Sequence, residues 1–266
     1  MLRLLLLLAL AGWVPAAQSA RVVTLSPHAT ELVWFAGGGE QLVGVAAFSD
    51  FPETVRQLPV IGDVTGIDRE RLISLAPDLL VYWSSGIRPS DLAWLQERGI
   101  ATFASGAVSI DGLVEELRSL GELLGTGEAA ARSIRDIEQK RQALERLGTG
   151  DKRVRMIHQL WNRPLIVLGR RDLLPHALEL CGIDNPVDIG DLASASVSRE
   201  YLHALEADAI LIGDDAFFAP FNPGGLPVYR SDSNRMHRPA PRLLDAALEI
   251  CRAIRSANER GGTRDE

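Results

Sequence analysis

The chain has 266 residues, 46% hydrophobic and 24% charged, with a formal net charge of -7, enough apolar material to bury a sizeable core in two domains. The acidic balance and the lack of any basic stretch argue against wholesale nucleic-acid binding, which needs a phosphate-neutralising surface.

Residues 1–19 carry Arg3, an apolar run from Leu4 to Ala11 and the small-x-small ending Ala17-Gln18-Ser19. This is the pattern of a cleaved signal peptide, and its apolar core is shorter than the roughly 20 residues a spanning helix needs. No Cys lies near the cleavage site to take a lipid, so the mature chain is expected to be soluble and exported. Over residues 20–125 short apolar segments (Val22 to Leu25, Leu42 to Ala46, Leu79 to Trp83, Ala101 to Ala104) alternate with helical patterns, which predicts an N-terminal α/β lobe. Residues 126–148 predict one connecting helix. Gly127 to Leu147 is rich in Ala, Glu, Arg, Gln and Lys with no internal breaker, which suits a rod about 30 Å long. A second α/β lobe is expected over 149–258, with strands near Val154 to Leu160, Ala209 to Ile212 and Pro227 to Tyr229, and a closing helix from Leu243 to about Ala257. The polar tail 259–266 is expected to be disordered.

One phrase occurs twice, 130 positions apart. Glu70, Leu72, Leu75 and Asp78 precede Leu79-Leu80-Val81-Tyr82-Trp83; Glu200, Leu202, Leu205 and Asp208 precede Ala209-Ile210-Leu211-Ile212. Leucines three apart share a helix face, and the unbroken apolar run after each Asp suits a parallel strand covered on both sides. Each copy therefore predicts a short helix feeding a buried strand, and the chain reads as built twice. Singly, each Glu complements a helix start; as a pair, one per lobe, Glu70 and Glu200 are candidate posts for a two-fold partner.

The two cysteines, Cys181 and Cys251, both fall in the second half. Export permits a disulfide closing a loop of about 70 residues, stabilising by roughly 4 kcal/mol; two buried thiols are the other reading. No Gly-x-x-x-x-Gly-Lys loop, Gly-x-Ser-x-Gly elbow or His-Glu-x-x-His helix occurs, so ligand capture rather than catalysis is expected. An exported enzyme using His28, Asp50 or His237 as acid-base groups is the alternative from another class.

Open α/β sheets place ligands in loops beyond the carboxyl ends of their strands. That rule selects His28, Phe48, Asp50 and Trp83 in the first lobe, and Trp161, Arg163, Asn234, Arg235 and His237 in the second. Aromatic rings at strand ends face either a ligand or the core, and Trp83 and Trp161 supply one per lobe. His28 and His237, with Asp50 and Asn234, are possible metal ligands, but polar loop residues are the preferred reading and no resident metal is expected. Arg163, Arg235 and Arg238 suit anionic or amide groups.

Taken together, several segments resemble the periplasmic cobalamin-binding proteins within the helical-backbone metal-receptor group of substrate-binding proteins. They are Thr24-Leu25-Ser26-Pro27, Thr30-Glu31-Leu32, Phe48-Ser49-Asp50-Phe51-Pro52, Ala76-Pro77-Asp78-Leu79, Trp161-Asn162-Arg163-Pro164-Leu165, Leu180-Cys181-Gly182, Val197-Ser198-Arg199-Glu200 and Arg238-Pro239-Ala240-Pro241-Arg242. The resemblance implies two Rossmann-like lobes with central parallel sheets, joined by one backbone helix, with a corrinoid in the cleft and little hinge motion. It implies a monomer delivering cobalamin to an ABC importer, a permease dimer with its ATPase, with Glu70 and Glu200 meeting permease arginines. It further implies a Cys181 to Cys251 disulfide, ligand-facing Phe48 and Trp83, and no catalytic cofactor. Two positions depart from it: Val64 and Ser194 stand where cobalamin binders can carry Trp. Val64 remains a candidate ligand contact in a thinner cradle, which Trp161 can fill out. Another corrinoid, a ferric siderophore, haem or a metal ion are the alternative cargoes.

Overall fold

Two strand-forming phrases that share one local chemistry set the frame of the molecule. In the computed structural model, which describes residues 20–63, 66–148 and 153–262, the first half runs β1 (Val22–Thr24), α1 (Pro27–Phe35), β2 (Leu42–Ala46), β3 (Val60–Asp63), β4 (Gly66–Ile67), α2 (Arg69–Ser74), β5 (Leu79–Trp83), α3 (Pro89–Glu97), β6 (Ala101–Ser105) and α4 (Ile110–Leu123). Its sheet has the order β4-β3-β2-β1-β5-β6, parallel except for β4.

The helix α5 (Gly127–Leu147) leads to the second half: β7 (Val154–Asn162), β8 (Leu165–Leu168), α6 (Leu173–Glu179), β9 (Ile183–Asp184), β10 (Ser194–Ser196), α7 (Arg199–Ala204), β11 (Ala209–Gly213), β12 (Val228–Ser231), α8 (Ser233–Met236) and α9 (Leu243–Gly262). Here the order is β10-β8-β7-β11-β12, with β9 beside the start of β7. The fold is the expected pair of α/β lobes, each with a mainly parallel sheet. The expected signal peptide, the loop residue Val64 and the last four residues lie outside the described residues, and the backbone of α9 continues past Ala257 to Gly262.

The repeated phrase has a common atomic basis. Asp68 caps α2 by accepting from the Arg71 N–H, and Ser198 caps α7 by accepting from the Tyr201 N–H. Leu72 and Leu202 are buried on the inward face of each helix. Asp78 accepts the Arg21 N–H at 2.8 Å while its own N–H bonds Arg21 O; Asp208 repeats both bonds with Arg155, also at 2.8 Å through the carboxylate. In each lobe this Asp ties the start of the edgeward strand to its inner neighbour.

The helix α5 packs on α4 of the first lobe and α9 of the second. Ala130, Ile137 and Leu144, seven apart, form its buried stripe. Lys140 bridges to Asp245 on α9 at 2.7 Å, and Arg141 to Asp111 on α4 at 2.5 Å. The largest buried apolar cluster runs through α1, α4, α5, α6 and α9, so one core spans both lobes. Cys181, just beyond α6, and Cys251 on α9 form a disulfide with Cα atoms 6.2 Å apart.

Two strand features differ from the sequence expectation. Trp161 and Asn162 belong to β7 rather than to a loop after it, and Arg163-Pro164 turns the chain into the antiparallel partner β8. The edge pair β3 and β4, and the short strands β9 and β10, also formed where no strand was expected. Apart from the buried Ile61 and Ile183 their residues are at least partly exposed, and they lack the apolar run that marks β5 and β11.

Candidate functional site

A cavity of about 380 Å³ lies between the lobes, where Trp83 to Ser85 and Gly106 to Val108 face Leu160, Leu168, Ser194 and His237. It sits beyond the carboxyl ends of β5 and β6, the position expected for a ligand in this type of sheet. A larger recess of about 550 Å³ lies at the opposite, amino end of β7, lined by Arg155, Glu179 and Glu206. There Arg155 is taken up by Glu206 and Asp208.

Trp83 closes β5 with its ring partly exposed, and His28 meets it edge-on at 6.0 Å between centroids. His28 is only 6% exposed. Its Nε2 lies 3.0 Å from Ser105 Oγ, which donates to Tyr82 O; the hydroxyl therefore accepts, and the proton of His28 is on Nε2. Burial, with the charge of Arg238, lowers the His28 pKa to about 4. A neutral imidazole thus supports Trp83 from beneath, and His28 itself does not reach the cavity surface.

Beside Trp83, the same wall of the cavity turns on Gly106. At φ +147 an added Cβ would stand 2.8 Å from Ser84 Oγ and 3.4 Å from the Trp83 ring, so only glycine fits. Glu116 on α4 accepts the Gly106 N–H at 2.8 Å and also the N–H of Ala107. Burial raises the Glu116 pKa to about 7.

Phe48 is 81% exposed and has φ +64, an uncommon conformation for a bulky residue. Its carbonyl is held by Arg238, whose guanidinium also donates to Glu31 (3.0 Å), Asp50 (2.5 Å) and Asn234 (2.9 Å). Asp50 and Asn234 are therefore drawn into an interlobe ionic cluster rather than standing ready for a ligand. Arg235 is likewise engaged, on Glu249 through two 2.8 Å bonds and on Asp232, away from the cavity. His237 lines the cavity and pairs with the buried His158, Nε2 to Nε2 at 3.1 Å.

Trp161 is about half exposed, its indole N–H bonded to the carbonyl of the exposed Arg163 in the hairpin turn. Of the sequence-selected residues the structure therefore gathers Trp83 and His237 in the cavity, with His28 behind Trp83. Phe48 and Trp161 are exposed aromatic rings, one in each lobe. Ser194, Gly106 and Glu116 complete the site. Gly106 directly follows β6 and so falls under the strand-end rule; Glu116, inside α4 and away from any strand end, gave no signal.

Glu70 and Glu200 are exposed on the first turns of α2 and α7, and neither is in an ion pair among the described residues. Among the described residues no group of three or more His, Cys, Asp or Glu is placed to hold a metal ion, and no helix is long and apolar enough to cross a membrane.

The profile of the periplasmic binding protein family matches residues 22–226. A vitamin B12-binding protein of Pectobacterium atrosepticum is 31% identical over 244 residues, covering 87% of each chain. The crystal structure of a periplasmic vitamin B12-binding protein of Vibrio cholerae superposes with a TM-score of 0.79 at 25% identity, covering 90% of this chain and 98% of that one. A periplasmic heme-binding protein of Roseiflexus shares the fold, with a TM-score of 0.76 at 21% identity over 88% of this chain and 97% of that one.

Proposed function

The chain belongs to the periplasmic binding protein family, and on that premise we propose that it captures cobalamin or a related corrinoid between its lobes and delivers it to an ABC importer. The interlobe cavity carries this reading: about 380 Å³ of space, with Trp83 on one side and His237 and Leu168 on the other. Sites of this kind are concave, mainly apolar and furnished with a few placed polar groups. Full-length similarity to proteins named for vitamin B12 binding supports the choice of cargo.

In this reading Phe48, Trp83, Trp161 and His237 contact the cargo, and His28 and Arg238 hold two of those rings in place. Glu70 and Glu200 are the contacts for a permease dimer with its ATPase, and the protein works as an exported monomer without chemistry of its own. Cyanocobalamin and hydroxocobalamin are titrated into the purified chain, following heat and tryptophan fluorescence. Quenching from Trp83 and Trp161 with saturable heat is expected. No response at tens of micromolar, weaker than about -6 kcal/mol of binding, rejects the corrinoid, and ferric haem and a ferric siderophore are then the next ligands to titrate.

A further inference from the structure

Phe217, in the loop between β11 and β12, is 97% exposed, and a ring so far out of the fold does nothing for the core. The segment around it is nevertheless fastened. The fully buried Gln159 both accepts the Phe221 N–H at 2.9 Å and donates to Phe221 O at 2.7 Å, and Asn162 donates to Ala219 O at 2.8 Å. Phe218, next to Phe217, meets the Trp161 ring at 5.7 Å and a 58° tilt.

The pairing of β7 explains how Trp161 comes to be there. Its register with β8 shifts between Gln159, opposite Val167, and Trp161, opposite Ile166. Residues directly opposite on antiparallel strands share a face, and alternate residues along a strand share it too. The slip therefore puts Trp161 on the same face as Ile166 and Leu168, and hence as Ser194, which pairs with Leu168. Leu168 and Ser194 line the cavity. Irregularities of this kind re-aim side chains beside binding sites, and this one extends the cavity wall outward through Trp161 to the phenylalanines.

Resting on the reading that the cavity takes a flat metal chelate, we infer that Trp161, Phe217 and Phe218 form an aromatic wall that grips the cargo's macrocycle and selects which chelate is held. The wall stands in the lobe where Ser194 contributes no ring. Its chemistry suits a flat macrocycle with an apolar edge, because tilted and offset rings hold such a surface by dispersion and by their quadrupoles. The hydrogen bonds of Gln159 and Asn162 spare the loop an ordering cost on binding.

The test is calorimetric titration of cyanocobalamin, dicyanocobinamide and ferric haem into the full chain, into Phe217→Ala, into the Phe217→Ala/Phe218→Ala pair and into Trp161→Leu. For the chelate that wild type binds, Kd should rise about tenfold in the pair, while the thermal midpoint of Phe217→Ala stays at the wild-type value. The Trp161→Leu variant should show a rise of similar size. If wild type takes none of the three chelates, the reading of the cavity fails and the wall falls with it. If wild type binds and the variants keep its Kd within about twofold, the wall alone is overturned. Intact affinity with lost uptake also overturns it, by making these rings a docking surface.

Discussion

Glu116 shows how a single half-buried carboxyl can hold a cavity-lining loop and leave a signature in stability. Its pKa, raised to about 7 by burial, exceeds its ordinary value of 4.5, so the folded state holds a proton that the unfolded chain releases between those limits. Stability from this group is full below about pH 4.5 and is lost as pH rises to 7. The buried His28, lowered to about 4, and His158, also lowered by burial, act in the opposite sense, favouring the fold above the ordinary histidine range and weakening it as pH falls. Glu116→Gln keeps an oxygen to accept from Gly106 and removes only the titration. The difference in melting temperature, variant minus wild type, should therefore be more positive at pH 7.5 than at pH 4.5. Equal differences at the two pH values would show that Glu116 does not titrate within that window.

Between elements, the joint of α1 with the segment between α8 and α9 is ionic where the rest of the interlobe core is apolar. Glu31 on α1 is 0% exposed and its Oε1 accepts from Arg238 at 3.0 Å and Arg242 at 3.1 Å; Arg242 also stacks on Phe51 at 4.1 Å. Removing one partner of a buried ionic cluster strands the others, so Glu31→Gln should cost about 3 kcal/mol in urea unfolding, and a loss under about 1 kcal/mol would mean the cluster is solvated. The sequence revealed the central strands of both lobes but not this cluster, whose members lie on α1, the loop after β2, α8 and the segment before α9. Leu79 to Trp83 and Ala209 to Ile212 announce themselves by unbroken apolar runs, because parallel strands are covered on both faces. The hairpin of β7 and β8 was hidden because Arg163-Pro164 looks like the end of a strand rather than the turn inside one. Asp50 and Arg235 were plausible ligand contacts by position, yet their partners Arg238 and Glu249 are 188 and 14 residues away, and no local pattern encodes that pairing. Trp83 and His237 are legible since the strand-end rule is local, whereas Phe217 and Phe218, in the loop after β11, satisfy the same rule without a local pattern that singles them out.

For the whole molecule, the continuous core through α5 matters most to how the two proposed docking posts would work. A body whose lobes share one apolar cluster and one backbone helix is expected to hold Glu70 and Glu200 at a nearly fixed separation. Each exposed ion pair with a partner's arginine contributes only about 0 to 1 kcal/mol, so neither post could dock the protein alone. Two posts on a rigid frame act differently, because the first contact brings the second to its target at a high effective concentration. Reversing one charge, Glu70→Lys or Glu200→Lys, should then remove most of the gain from two-point attachment, and reversing both should add little further loss. Corrinoid uptake through the cognate importer and stimulation of its ATPase measure docking; titration of the purified variants measures cargo binding, which should stay within about twofold of wild type since both residues lie outside the cavity. Undiminished uptake in the double variant would remove the posts from the mechanism. Two single losses that simply add would show instead that the lobes dock independently, contrary to the stiffness that the shared core confers.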